Sequence, residues 1–134
     1  MIRVGLYSGD RTLQPLLSSA LEKDFEILLA ADAEEISRLA SSAECEVMIL
    51  DLSSNHDALQ ERIECCQRII TSPIPSLVMA DDSLRSAAME LVRLGAFAYC
   101  RKPPSVRDLR ILLHRAYENS ALKQELHKIG RAHV

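Results

Sequence analysis

Apolar positions along the chain alternate between two spacings. Short continuous apolar runs predict strands over residues 3–7, 25–31, 47–50, 76–80 and 96–100. Between them, apolar residues recur three and four apart and predict helices. The first helical face is Leu13, Leu16, Leu17, Ala20 and Leu21, and the second is Ile36, Leu39, Ala40 and Ala43. The third is Leu59, Ile63, Cys66 and Ile70. The fourth is Leu84, Ala87, Ala88, Leu91 and Val92, and the fifth is Leu109, Leu112, Leu113, Ala116 and Tyr117. Local signals agree with this division. Asp32 with Glu35 reads as a capping box, Pro73 and Pro75 end the third helix, Gly95 stops the fourth, and Ser105 with Asp108 starts the fifth. Five strand–helix repeats with short connections predict an α/β fold of three layers. A doubly wound, five-stranded parallel sheet is covered by helices on both faces. The run Val47-Met48-Ile49-Leu50 has no polar residue before Asp51, as a strand buried on both faces requires.

The helical pattern continues past the point where the globule should end. A heptad runs through Leu112, Asn119 and Leu126 at one position and Leu122 and Ile129 at the other. Residues 1–118 therefore read as the domain, and residues 119–134 as a helical linker. Asn119, Leu122, Leu126 and Ile129 are the expected seam of a homodimer.

Composition narrows the function class. The chain has 134 residues, 48% hydrophobic and 26% charged, which fits one folded domain and excludes disorder as its main state. No apolar run is long enough to cross a membrane, and no signal-peptide core opens the chain. Cys45, Cys65, Cys66 and Cys100 show no metal-site spacing and read as reduced thiols in a cytoplasmic protein, with Cys66 facing the core and Cys65 half-exposed. Residues 1–100 carry eight Lys/Arg against sixteen Asp/Glu, while residues 101–134 carry eight against three. An acidic body of this kind does not neutralise phosphates, so direct nucleic-acid binding is not expected. His56, His114, His127 and His133 have no ligand spacing and read as solvated. Four glycines and no G-x-G-x-x-G or P-loop argue against a nucleotide-binding enzyme.

In a parallel α/β sheet, ligands bind outside the carboxyl ends of the strands. The residues to question are therefore Ser8, Gly9 and Asp10; Asp51 to Ser53; Ala80 to Asp82; and Arg101 to Pro103. Asp51 ends the most buried strand, and Lys102 follows the last one. A carboxylate there can serve as nucleophile, metal ligand or ion-pair partner. The proline after Lys102 suggests a cis bond that aims the lysine into the cleft.

With these residues in place, the chain resembles the receiver domains of bacterial response regulators over residues 2 to about 118. The resemblance rests on the order of elements, on Val47-Met48-Ile49-Leu50-Asp51, and on the run from Gly95 to Pro103. It implies a flavodoxin-like, CheY-like sheet of order 2-1-3-4-5. It also implies that Asp51 is the position that accepts a phosphoryl group from a histidine kinase, that Lys102 pairs with that group, and that Tyr99 is the switch aromatic. The long last helix resembles the linker joining receivers to output domains in NtrC-type transcription regulators.

The departures from that family concern the chemistry itself. Its first strand ends in an acidic pair that holds Mg²⁺; here Ser8 and Gly9 stand there, and Asp10 falls one residue later, where it reads as a helix N-cap before a ligand. Its Thr or Ser after the fourth strand is Ala80 here, and the small residue that follows is Asp81, with Asp82 next. Asp81 would either repel a phosphoryl group or imitate one beside Lys102. The Met-Pro after the phosphorylatable aspartate is replaced by Ser54-Asn55. The sequence thus reads as an atypical, degenerate receiver, not an enzyme beyond its own phosphorylation, with Mg²⁺ held weakly at most through Asp51 and Asp10. The expected partners are a second copy, an output domain in a longer chain and a histidine kinase. Two alternatives stay open: a receiver still able to accept a phosphoryl group on Asp51, and a flavodoxin-like small-molecule-binding protein unrelated to signalling. An aspartate-based hydrolase is disfavoured, because Ser53 stands where its second carboxylate belongs.

Overall fold

The computed structural model describes residues 1–53 and 59–132, with side chains described up to residue 123. Strands β1 (Ile2–Tyr7), β2 (Phe25–Ala30), β3 (Val47–Asp51), β4 (Ser76–Ala80) and β5 (Ala98–Arg101) alternate with helices α1 (Leu13–Ala20), α2 (Ala33–Ser41), α3 (Leu59–Ile69), α4 (Arg85–Leu94) and α5 (Val106–Ala132). A 3₁₀ turn, Asp82–Leu84, precedes α4. All strands are parallel, in the order β2-β1-β3-β4-β5. This is the doubly wound parallel sheet that the sequence pattern predicts, in the flavodoxin-like, CheY-like order that the family resemblance implies. The register sets Tyr7 opposite Leu50, Asp51 opposite Met79, and Ala80 opposite Arg101, so the residues following β1, β3, β4 and β5 emerge along one edge.

Two cores hold the layers together. On one face Tyr7, Met48, Leu50 and Val78 pack against Ile36, Leu39, Cys66 and Leu91 from α2, α3 and α4. On the other, Leu6, Ile49, Leu77 and Met79 pack against Leu13, Leu17, Leu109 and Leu113 from α1 and α5. Val47 to Leu50 are fully buried, each contributing about 1.5–3 kcal/mol of transfer free energy. Gly5 sits close under α2 and the segment after it: a Cβ there would lie 3.2 Å from both Cys45 Sγ and Ile36 Cδ1. Gly95, at φ +134°, ends α4 in a Schellman closure. Its N–H reaches Val92 O, and Ala96 N–H reaches Leu91 O.

That closure shifts one boundary. Ala96 was expected in the fifth strand, but its N–H is committed to α4, so β5 starts at Ala98. Three side-chain expectations also change. Leu16 is 61% exposed, because the face α1 lays on the sheet is filled by Leu13 and Leu17, with Leu21 one turn on. Cys65 is buried beside Cys66, because α2 covers the flank of α3 and widens its buried arc. Tyr117 is exposed, because the face of α5 that meets the sheet ends at Ala116. All four cysteines are free and buried, and burial pushes the Cys45 thiol up to about 11 and the Cys66 thiol up to about 12. Such thiols are inert at neutral pH. Helix α5 runs through the expected boundary at residues 118 and 119 without a break. Ser54, Asn55, His56 and His133 lie outside the described residues, as do the side chains of Leu126, His127 and Ile129.

Leu50→Ala should lower the unfolding free energy by about 2–5 kcal/mol, through the cavity it opens beneath Asp51. Leu16→Ala should change it by no more than about 0.5 kcal/mol. Urea titrations followed by circular dichroism measure both.

Candidate functional site

Asp51 ends β3 at the carboxyl edge of the sheet and is 1% exposed. A carboxylate so far from water requires partners for both oxygens. Lys102 Nζ donates to Oδ1 at 2.7 Å, and the Ser8 hydroxyl donates to Oδ2 at 2.7 Å. Lys102 is carried in from the end of β5, where its own N–H donates to Ala80 O at 2.9 Å. The Lys102–Pro103 bond is cis. Ser8 is itself buried, and its oxygen accepts the N–H of Asp10 at 3.0 Å. The ends of β1, β3, β4 and β5 are thus joined through one hydrogen-bonded centre, and each oxygen of its carboxylate has a donor from this chain.

The other acidic residues at this edge are drawn elsewhere. Asp10 does not cap α1: the residue before that helix is Thr12, and no side chain caps it. Instead Asp10 Oδ1 accepts from the N–H of Thr12 at 2.9 Å and from its hydroxyl at 2.7 Å, closing a local turn. These two bonds hold the Asp10 carboxyl below the usual carboxylate range, with the charge of Lys102 adding a smaller pull. Asp81 behaves alike. Its Oδ1 accepts from the hydroxyl and the N–H of Ser83 and caps the 3₁₀ turn. The Ser83 hydroxyl is the main cause of its lowered pKa. Asp82 pairs with Arg101 at 2.8 Å on the surface. Lys102 makes its ion pair with Asp51 rather than with Asp81. Gly9 is exposed and offers no side chain. Tyr99 is half-buried, and its hydroxyl donates to the backbone oxygen of Ala80 at 3.2 Å. With no hydroxyl on Ala80, the Tyr99 contact ends on the main chain.

This donor set does not fit a divalent cation. A hard dication takes six or more oxygen ligands, which for Mg²⁺ means one or two free carboxylates together with several waters. Among the described residues no three His, Cys, Asp or Glu side chains group around one point. Asp10 and Asp51 are each committed to hydrogen-bond donors of the chain. Sequence reasoning brought Asp51, Lys102 and Ser8 to one place but read Ser8 only as a missing acid, whereas it supplies the second bond to Asp51. It also overlooked Thr12 and Ser83. The signal for both was available: Asp-x-Thr at 10–12 and Asp-x-Ser at 81–83 are self-closing turn patterns.

Lys102→Met should destabilise the fold at pH 7 by roughly 3 kcal/mol, since it leaves a buried carboxylate without its counter-charge. Lys102 keeps 23% exposure, which places the effect at the lower end of the range for buried pairs. Adding Asp51→Asn should restore most of the loss. Asp10 and Asp81 have lowered pKa values, so the stability they contribute is present above the unfolded carboxylate range and is lost as the pH falls from there through their lowered folded values. Urea titrations of the three proteins at pH 7, and of the wild type at several lower pH values, read both effects.

No family model and no curated protein matches the chain. Solved structures do. NtrX from Brucella abortus in complex with ADP superimposes with a TM-score of 0.80 at 19% identity, covering 96% of this chain and 29% of that one. A response regulator receiver domain protein from Clostridium thermocellum gives 0.76 at 21% identity, covering 91% and 98%. A protein described as adenylate cyclase, from Rhodopirellula baltica, gives 0.80 at 20% identity and covers 96% of both chains. The chain spans about 29% of the length of NtrX. Among the described residues no helix is long and apolar enough to cross a membrane. The sheet order, the five covering helices and these superpositions agree that the chain has the fold of response regulator receiver domains.

Proposed function

We propose that this chain is an atypical receiver: a signalling domain of a two-component response regulator whose Asp51 centre is structural, and which acts through its surfaces rather than through Mg²⁺-dependent phosphorylation. The observation that carries this reading is the pair of donors that this chain itself places on Asp51. Lys102 and Ser8 each bind one of its oxygens at 2.7 Å, and Ser8 stands where the resemblance to receivers implies a metal-binding acid. Phosphoryl transfer develops charge on the transferred oxygens, and a divalent cation normally offsets most of it. Lys102 alone offers one positive charge, and Asp10 and Asp81 lie close enough to feel it. In this reading residues 1–118 form the regulatory unit and residues 119–134 lead, as a linker, to an output domain in a longer cytoplasmic protein. The superposition on part of NtrX supports that arrangement. The domain pairs with a second copy along α5, binds no nucleic acid itself and catalyses no reaction on a small substrate.

A competent phospho-acceptor is the second reading, favoured by Lys102 within hydrogen-bond reach of Asp51. Incubation with acetyl phosphate and Mg²⁺, followed by intact-protein mass, separates the two. The proposal expects no phosphoryl adduct on the folded wild type. An adduct absent from Asp51→Asn would establish the second reading instead.

The metal argument has its own test. Ser8→Asp puts a second carboxylate against Asp51 at a buried position, so it should lower the melting temperature in metal-free buffer. Mg²⁺ should then raise it, by the equivalent of about 2.7 kcal/mol at a hundred-fold excess over Kd. The wild type should show no such rise. Thermal melts with and without Mg²⁺ measure the difference, and a wild-type response equal to that of the variant would overturn the metal argument.

A further inference from the structure

Four residues along the outer side of α5, Ile111, Arg115, Glu118 and Leu122, are spaced four, three and four apart. That is the spacing of a coiled-coil seam. All four are exposed, and Ile111 and Leu122 are among the large apolar side chains left in water, at 39% and 60%. Arg115 and Glu118 make no hydrogen bond or ion pair with any described residue. The line through Leu112 and Asn119 differs, because Leu112 packs against the core beneath α1 and α5 and so is not free to form a seam.

The pattern of these four residues is self-complementary in one orientation only. Two α5 helices crossing antiparallel midway between Ala116 and Tyr117 set Ile111 of each copy against Leu122 of the other. Arg115 of each then meets Glu118 of the other. Both apolar residues gain an apolar partner, both charges gain an opposite one, and the helix dipoles oppose favourably. A parallel pairing in register sets Arg115 on Arg115 and Glu118 on Glu118, four like charges at the centre of the seam.

From this we infer that the occupant of the outer side of α5 is a second copy of the chain, bound antiparallel through Ile111, Arg115, Glu118 and Leu122. The inference rests on the dimer reading above and gives it a geometry. The part of α5 beyond the globule then lies along α5 of the partner. The two C-termini leave the dimer at opposite ends, so a linked output domain would be held apart from its twin.

Charge exchange tests the orientation. Sedimentation velocity over a range of protein concentrations should show the wild type in a monomer–dimer equilibrium. Arg115→Glu and Glu118→Arg should each weaken it about ten-fold or more, since each variant turns both opposite-charge pairs into like-charge pairs. Arg115→Glu/Glu118→Arg should return the dissociation constant to within about three-fold of wild type, because the antiparallel pairs are rebuilt with their signs reversed. The positions are exposed, and unchanged urea midpoints for the monomers confirm that the variants fold. A dimer that the single variants leave intact, or that the double variant fails to rescue, overturns the antiparallel geometry while keeping the dimer reading. A wild type that stays monomeric overturns both.

Discussion

The carboxylate of Asp51 is the constraint around which the strand ends are arranged. A charge that is 1% exposed is tolerated only where the chain supplies donors at hydrogen-bond distance. Lys102 comes from the end of β5 and Ser8 from the end of β1, on either side of β3. The parallel register decides that these residues meet, since β1 and β4 both flank β3 and β5 follows β4. Four of the five strand ends are thereby tied to one centre. The ion pair contributes less net stability than its short distances suggest, because both charges lose water. Its larger effect is on geometry: it fixes the positions of the loops that follow those strands.

The same arrangement explains why acidic residues gathered at one edge do not make a metal site. Asp10 and Asp81 each turn back on a hydroxyl two residues ahead, and Asp82 turns outward to Arg101. Asp10 and Asp81 find partners within their own loops and Asp82 finds one at the end of β5, so none converges on Asp51. Tyr99 follows the same logic. Its hydroxyl meets a main-chain oxygen of Ala80, the atom that also receives the N–H of Lys102. A link between the Asp51 centre and the surface around Tyr99 therefore runs through the backbone of β4 and β5.

Much of this was legible in the sequence. The alternation of apolar spacings gave the five repeats, and the continuous run before Asp51 marked the central strand. The misplaced residues share a cause, for periodicity describes a helix without its neighbours. Leu16 and Tyr117 sit at helical spacing from core residues, yet the described residues leave them exposed. Cys65 is buried because α2 lies beside α3, a fact of tertiary packing. At the site, the residue types of Asp51 and Lys102 allowed an ion pair beside a nucleophile or a metal ligand, and the topology placed the two together. The role of Ser8 did not show, because a hydroxyl in place of an acid reads as a loss until its donor geometry is known. The antiparallel complementarity of α5 needed the structure too. The partial burial of Leu112 and the exposure of Ile111 are what favour the line through Ile111 over the one through Leu112.

The central claim is that Asp51 is held by Ser8 and Lys102 in place of a metal ion. Its most direct test is a Mg²⁺ titration followed by backbone amide NMR, watching Ser8 to Asp10, Leu52 and Lys102. The account expects small, linear shifts that never saturate, as ionic strength alone produces. Saturating shifts centred on those amides, abolished in Asp51→Asn, would contradict it.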